Sequence, residues 1–232
     1  FIKLYKRLCP GPITFILNKK KKSKISRIAN SRKKTIAIRF PKHKVIRDLL
    51  KMLNFPLAAP SANIFSKLSP TSAKDVVDEF NKKIKIILDG GSCKIGLEST
   101  ILDLTARPTI LRQGSITQKK IEKILKKKVY LNKKVYQIKS PGQLSFHYSP
   151  GIPVLINKKL PNKNAAFITF GKKYKNKKNY FNLSQKGNLN EAANNLYKTM
   201  RKIKKLKYKS INVCTIPNNG IGCAINDRLK KA

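Results

Sequence analysis

From Thr35 to Phe40 apolar and polar side chains alternate, so Ile36, Ile38 and Phe40 would share one face of a strand and Thr35, Ala37 and Arg39 the other. Ile46, Leu49, Leu50 and Leu53 then recur at helical spacing, which predicts an amphipathic helix from His43 to Leu53. Pro56 to Asn63 carries no period and reads as a loop or short strand. Ser69-Pro70 predicts a helix start with proline at the first helical position and Val76, Val77 and Phe80 turned inward. Ile84 to Leu88 predicts a buried strand that ends at the turn Asp89-Gly90-Gly91. Short strands are expected at Thr100 to Leu104 and Thr109 to Arg112, and a helix from Gln118 to Leu125. Strands and helices mixed in this order predict an α/β domain over 1–125. The pattern dissolves into a linker over 126–150, and a second, smaller α/β domain follows over 151–232. Its strands are expected at Ile152 to Ile156, Ala165 to Phe170 and Ser210 to Ile216. Its helices are Leu189 to Ile203, with Ala192, Ala193, Leu196, Met200 and Ile203 on one face, and Ala224 to Ala232.

Composition changes this picture little. Hydrophobic residues at 41% suffice for a core, and no apolar run reaches the ~20 residues that span a bilayer. Lys and Arg outnumber Asp and Glu by 53 to 10, for a formal charge of +43. Such a charge suits a polyanion such as RNA. Yet nucleic-acid binders concentrate charge on one face, and here lysine fills every loop, as at Lys19 to Lys22, Lys126 to Lys128 and Lys172 to Lys178. The spread argues for compositional bias. Cys9, Cys93, Cys214 and Cys223 form no CxxC pair, and the two histidines, His43 and His147, are too few for most histidine-based metal sites. Buried thiols in a reducing compartment are the expectation. The opening Phe1-Ile2-Lys3-Leu4-Tyr5 has neither an initiator Met nor an apolar signal segment, which suggests an N-terminally incomplete chain.

Several segments are unusually specific. The run from Cys9 to Thr14 is a turn in which two prolines fix φ. Pro56 to Asn63 packs small residues around Ser61 and would let a ligand approach the backbone. Ser69 at a helix N-terminus suits either an anion or a simple N-cap. Gly90-Gly91 and Gly96-Leu97-Glu98-Ser99-Thr100 place glycines and hydroxyls at strand ends, and Leu111-Arg112-Gln113-Gly114 adds a guanidinium. Where the background favours lysine, Arg39 and Arg112 suggest a need for a planar fork that clamps carboxylate or phosphate. No Ser-His-Asp triad, HExxH, Walker A or GxGxxG is present. The motifs describe a concave pocket for a phosphorylated ligand, with no dedicated catalytic nucleophile and no metal ligand set.

Together the segments Pro10 to Leu17, Thr35 to Pro41, Pro56 to Asn63, Ser69 to Ala73, Leu88 to Gly91, Gly96 to Leu104 and Ile110 to Gly114 resemble the YrdC-like family of threonylcarbamoyl-AMP synthases. Ser140 to Pro150 resembles the linker of the long, two-domain form, and Gly187 to Ile203 and Gly220 to Ala232 its C-terminal domain. The resemblance implies a YrdC-like twisted mixed-sheet domain, a linker and a smaller Rossmann-like α/β domain. It implies a cytoplasmic nucleotidyltransferase that joins L-threonine, bicarbonate and ATP into threonylcarbamoyl-adenylate with release of diphosphate. A separate transferase complex would carry the threonylcarbamoyl group to a tRNA adenosine next to the anticodon. Carried over position by position, Thr35, Ser61, Ser69 and Arg112 correspond to ATP contacts, and Arg39, the backbone around Ala59, and Ser99 to threonine contacts. Tyr148 resembles a linker position that folds over the nucleotide, His147 is a weaker candidate, and His43 reads as a helix cap. Magnesium is expected with the ATP. Family members begin with a threonine-contacting strand and a basic triphosphate-gripping segment, and this chain starts after both, so weak ATP binding or none is expected of these residues alone. The alternative from another class is a non-catalytic basic protein that binds RNA, including double-stranded RNA, on the same fold. Few aromatic residues are placed to stack on bases, which weighs against it. A carbamoyl-adenylate domain of the hydrogenase-maturation kind disagrees with the C-terminal match.

Overall fold

A computed structural model describes residues 1–23, 25–81, 83–132 and 147–232. Residues 133–146, with most of the expected linker and its motif, lie outside the described residues. The chain divides into two compact units, Phe1–Pro60 with Glu98–Gln143 and Ser61–Leu97 with Leu144–Ala232. The expected division at 125 and 150 runs along different lines, because residues 61–97 pack with the C-terminal part of the chain.

The first unit opens with α1 (Ile2–Leu8), which periodicity did not reveal, and β1 (Ile13–Asn18). It continues with β2 (Thr35–Arg39) and α2 (Lys44–Met52), both expected. One mixed sheet, built later in the chain by β3 (Thr100–Asp103), β4 (Thr109–Arg112) and β5 (Tyr130–Leu131), has the order β2-β1-β3-β4-β5. β1 runs antiparallel to β2 and parallel to β3, and β3 runs antiparallel to β4. Alternation decides the faces. Ile13 and Phe15 of β1, Leu102 and Ile110 join Leu4, Leu8 and Ile121 in one buried cluster, so α1 and the helix over Gln118–Leu125 cover that face. Phe1 meets Phe15 edge to face at 5.2 Å, and Tyr5 meets Phe40 at 4.9 Å, closing the end of this layer. Thr14, Arg39 and Ile101 therefore belong to the opposite face, and a register shift between Ile101 and Leu102 lets Arg112, two residues beyond the inward Ile110, reach Ser99 on that face as well.

Gly114 explains how the chain leaves β4. A Cβ there would stand 2.5 Å from the Thr100 nitrogen and 2.7 Å from the Glu98 carbonyl oxygen, so only glycine lets the turn lie against 98–100. The Thr100 hydroxyl fastens the same turn, donating to the Ile116 carbonyl at 2.8 Å and accepting from its N–H at 3.1 Å.

The second unit holds α3 (Ala73–Phe80) and, with the first unit's 118–125 helix numbered α4, continues through β6 (Val154–Leu155), β7 (Ala165–Thr169), β8 (Tyr180–Asn182), α5 (Leu189–Lys205), β9 (Ser210–Val213) and α6 (Gly222–Lys230). Its four strands are parallel in the order β6-β9-β7-β8, as a Rossmann-like layer requires. α5 buries Ala192, Ala193, Leu196, Tyr197, Met200 and Ile203, the expected stripe plus one tyrosine. Asn188 caps it by accepting from the Asn190 and Glu191 N–H groups, and lysines at 202, 204 and 205 suit its negative C-terminal end. Leu68 joins this core and Ile95 and Leu97 pack on it.

Three expectations fail here. Residues 84–88 form no strand among the described residues, and Ile86 and Leu88 are exposed, since an apolar run becomes a strand only beside a partner ladder. The helix expected at Ser69-Pro70 begins instead at Ala73, because Ser72 is the residue whose hydroxyl accepts the Asp75 N–H. Val77 on that helix is exposed, while Val76 and Phe80 are half-buried.

Candidate active site

On the face of the first sheet opposite its buried cluster, strand register sets a row of side chains. Thr14 of β1 pairs with Arg39 of β2 on one side and with Ile101 of β3 on the other, and Ile101 pairs with Arg112 of β4. Residues directly opposite one another in a ladder point to the same face. Four strands thus carry Arg39, Thr14, Ile101 and Arg112 across the sheet in one line. At ~4.8 Å per strand spacing the two arginine backbones lie ~14 Å apart, the span of an extended ligand with an anion at each end.

Hydrogen bonds organise the middle of the row. The Ser99 hydroxyl lies 2.8 Å from that of Thr14 and accepts from Arg112 Nη2 at 3.2 Å. Arg112 Nε donates to the Ser99 carbonyl at 3.1 Å. Ser99 is only 4% exposed, so the guanidinium is aimed by a buried partner and keeps one orientation. Arg39, by contrast, ends β2 exposed. Arg39, Ser99 and Arg112 are therefore brought together, and Thr14, to which the sequence reading assigned no role, joins them. Its place could not be seen without the β1–β2 register.

The other expected positions are spread more widely. Thr35 starts β2 opposite Asn18, four residues from Arg39, and its carbonyl accepts from Asn30 Nδ2 at 3.2 Å. Ala59 is exposed in the first unit. Ser61, Ser69 and Tyr148 belong to the second unit.

Ser69 is 8% exposed and lies before the α3 cap rather than on it, so the argument from a helix N-terminus does not apply to it. Its carbonyl accepts from Arg201 Nη1 at 2.9 Å, and the Leu68 carbonyl from Nη2 at 2.6 Å. Asp75 takes the Thr71 N–H at 2.7 Å and the Thr71 hydroxyl at 2.9 Å. Burial pushes the Asp75 carboxyl up, but the Thr71 donors and the Arg201 guanidinium outweigh it and hold the group below its ordinary value. Beside this turn a cleft of about 370 Å³ is lined by Thr71, Ser72, Asp75, Ser92, Arg201 and the lysines 198, 202 and 205.

Tyr148 is 1% exposed and holds φ at +65°, uncommon for a bulky residue. It stacks on Tyr197 at 6.0 Å, and the Arg228 guanidinium lies 5.1 Å from its ring centre. The His147 N–H donates to the Lys231 carbonyl at 2.8 Å, and Lys67 bridges Ser149 in parallel. In this arrangement the tyrosine is packed into the second unit. His43 stands at the N-cap of α2 without a side-chain cap bond.

Comparison with known proteins places this geometry. Residues 1–114 match the Sua5/YciO/YrdC family, described as telomere recombination, and residues 116–232 match the threonylcarbamoyl-AMP synthase C-terminal domain. The threonylcarbamoyl-AMP synthase of Pyrococcus abyssi is 34% identical over 250 residues, covering 99% of this chain and 72% of that protein. The Bacillus subtilis protein of the same name is 31% identical over 99% of this chain and 71% of its own length. The crystal structure of P. abyssi Sua5 complexed with L-threonine superimposes with a TM-score of 0.87 at 32% identity, covering 99% of this chain and 72% of that one.

Proposed function

The chain belongs to the threonylcarbamoyl-AMP synthase family, and on that premise we propose that it joins L-threonine, bicarbonate and ATP into threonylcarbamoyl-adenylate and diphosphate. The observation that carries the reading is the cross-sheet row, in which two guanidinium groups flank paired hydroxyls. Bicarbonate loses hydroxide to give carbon dioxide, threonine's amine captures it as a carbamate, and the proton the amine releases turns the hydroxide into water. A carbamate oxygen then attacks the α-phosphorus of ATP, one phosphorus–oxygen bond forms, the bond to the β-phosphate bridge breaks, and diphosphate leaves. Nothing in these steps requires a protein nucleophile; they require two anions held in line and their charge offset.

In this reading Arg39 grips the amino-acid carboxylate through its fork, with the Ala59 backbone and Ser99 completing the threonine site. Arg112, oriented by Ser99, faces the phosphate, and by family correspondence Thr35, Ser61 and Ser69 are proposed as further ATP contacts. No three His, Cys, Asp or Glu side chains gather as metal ligands among the described residues. Magnesium would travel on the triphosphate as part of the substrate, as is usual in ATP chemistry. No helix is long and apolar enough to cross a membrane among the described residues. Action in the cytoplasm, with a tRNA-modifying transferase complex as the consumer of the product, follows from the family reading. Contact with RNA through the lysine-rich surface is a secondary expectation.

The test is turnover at millimolar ATP. Diphosphate release that needs threonine and bicarbonate together, with the mixed adenylate seen by mass spectrometry, supports the reading. Salt-sensitive RNA binding with no nucleotide turnover supports the non-catalytic alternative instead.

A further inference from the structure

We propose that Arg201, on α5, is a positioning residue for nucleotide binding, because it holds the backbone of Ser69 in place. The proposal rests on the reading of Ser69 as an ATP contact. Three observations carry it. The guanidinium spends its fork on two consecutive carbonyls, Leu68 and Ser69, at 2.6 and 2.9 Å. Its Nε lies 3.7 Å from Asp75, whose second oxygen closes the turn through both Thr71 donors. Only 16% of the Arg201 side chain and 18% of the Asp75 side chain are exposed, so the pair is shielded from water and held in one geometry.

Residues 68–75 are thus pinned at both ends by a helix more than a hundred residues further along the chain. The same helix meets a second segment from that region. A Cβ on Gly96 would stand 2.5 Å from the Asn194 Cα, and Asn194 Nδ2 donates to the Cys93 carbonyl at 2.6 Å. α5 therefore serves as a platform for the loops that precede β3. The residue type agrees, for this is one of only nine arginines among the 53 lysines and arginines of the chain. An ammonium cannot reach two adjacent carbonyls and a carboxylate with fixed planar geometry, and a guanidinium can.

The experiment is a double-mutant cycle on the whole chain, reading ATP affinity by calorimetry at a temperature well below every variant's Tm. Ser69→Ala is expected to weaken ATP binding several-fold. Arg201→Lys should weaken it by a similar several-fold factor in the wild-type background, yet by less than twofold when Ser69→Ala is already present. L-threonine affinity should stay within twofold throughout, a pattern that general loosening of the fold would not produce. Equal effects of Arg201→Lys in both backgrounds, or a lowered Tm with unchanged ATP affinity, overturn the positioning role and leave the ATP site intact. A silent Ser69→Ala, or a wild-type chain without saturable ATP binding, removes the nucleotide reading of Ser69 and this proposal together.

Discussion

In the first unit Arg39 and Arg112 stand at the two ends of a row across a mixed sheet, one exposed and the other steered by a buried serine. In the second unit Arg201 and Arg228 are absorbed into the packing, the latter only 1% exposed against Tyr148. The same scarce residue thus does two jobs in a lysine-rich chain. On the sheet, in the function proposed above, it presents charge to a ligand, and among the C-terminal helices it satisfies carbonyls and a ring that lysine would leave poorly matched. An arginine retained against a lysine background marks a need for the fork, and only burial tells whether the need is chemical or architectural.

The largest expected effect lies on the ligand side of this contrast. Arg112→Ala should lower kcat/KM for ATP roughly 100-fold or more, the scale of losing one preorganised charge donor. A change confined to Tm would move Arg112 into the architectural group. Next come the glycines that hold each unit's loops. Gly114→Ala and Gly96→Ala both force a Cβ to about 2.5 Å from backbone atoms. Each should cost about 1–3 kcal/mol in denaturant unfolding. Gly91→Ala meets nothing within 4 Å and suffers only its φ of +77°, so about 1 kcal/mol is expected. Equal losses at Gly96 and Gly91, both at φ +77°, would mean that strain, not close approach, governs the Gly96 turn.

Much of this architecture could be read from the sequence, for a physical reason. β2, α4 and α5 carry clean periods that any burial partner would exploit, and they stand where the alternation of Ile36 and Ile38 or the Ala193-Leu196-Met200 stripe placed them. Arg39, Ser99 and Arg112 were legible as forks and hydroxyls at strand ends. Thr14 was not, because its place in the row depends on a register set by β2 and β3. Residues 84–88 misled because an apolar run states a preference for burial and not a partner. The α3 start was misplaced by three residues, since Ser69 and Ser72 offer the same hydroxyl and only the Asp75 bonds separate them.

Smaller effects sharpen the comparison. Arg39→Lys keeps the charge and loses the fork, so KM for threonine should rise about tenfold while KM for ATP stays within twofold. A rise in both would place Arg39 on the nucleotide as well. Asp75 tests the architectural side through pH. Its folded pKa lies below the unfolded value of ~3.9, so its contribution to stability is present above about pH 4 and is lost as pH falls through the folded value. The stability gap between wild type and Asp75→Asn should stay constant from about pH 5 to 8 and close below about pH 4. A gap that persists in acid would assign the effect to packing.

The central claim, that the two arginines of the sheet row serve two ends of one ligand, is tested most directly by nuclear magnetic resonance of the nine arginine Nε groups in the 15N-labelled chain. Titration with L-threonine alone should move the Arg39 resonance and leave Arg112 nearly still, and addition of ATP should then move Arg112. If neither resonance responds to either ligand, or both respond equally to simple salt, the row is a lattice of surface charge and the account fails.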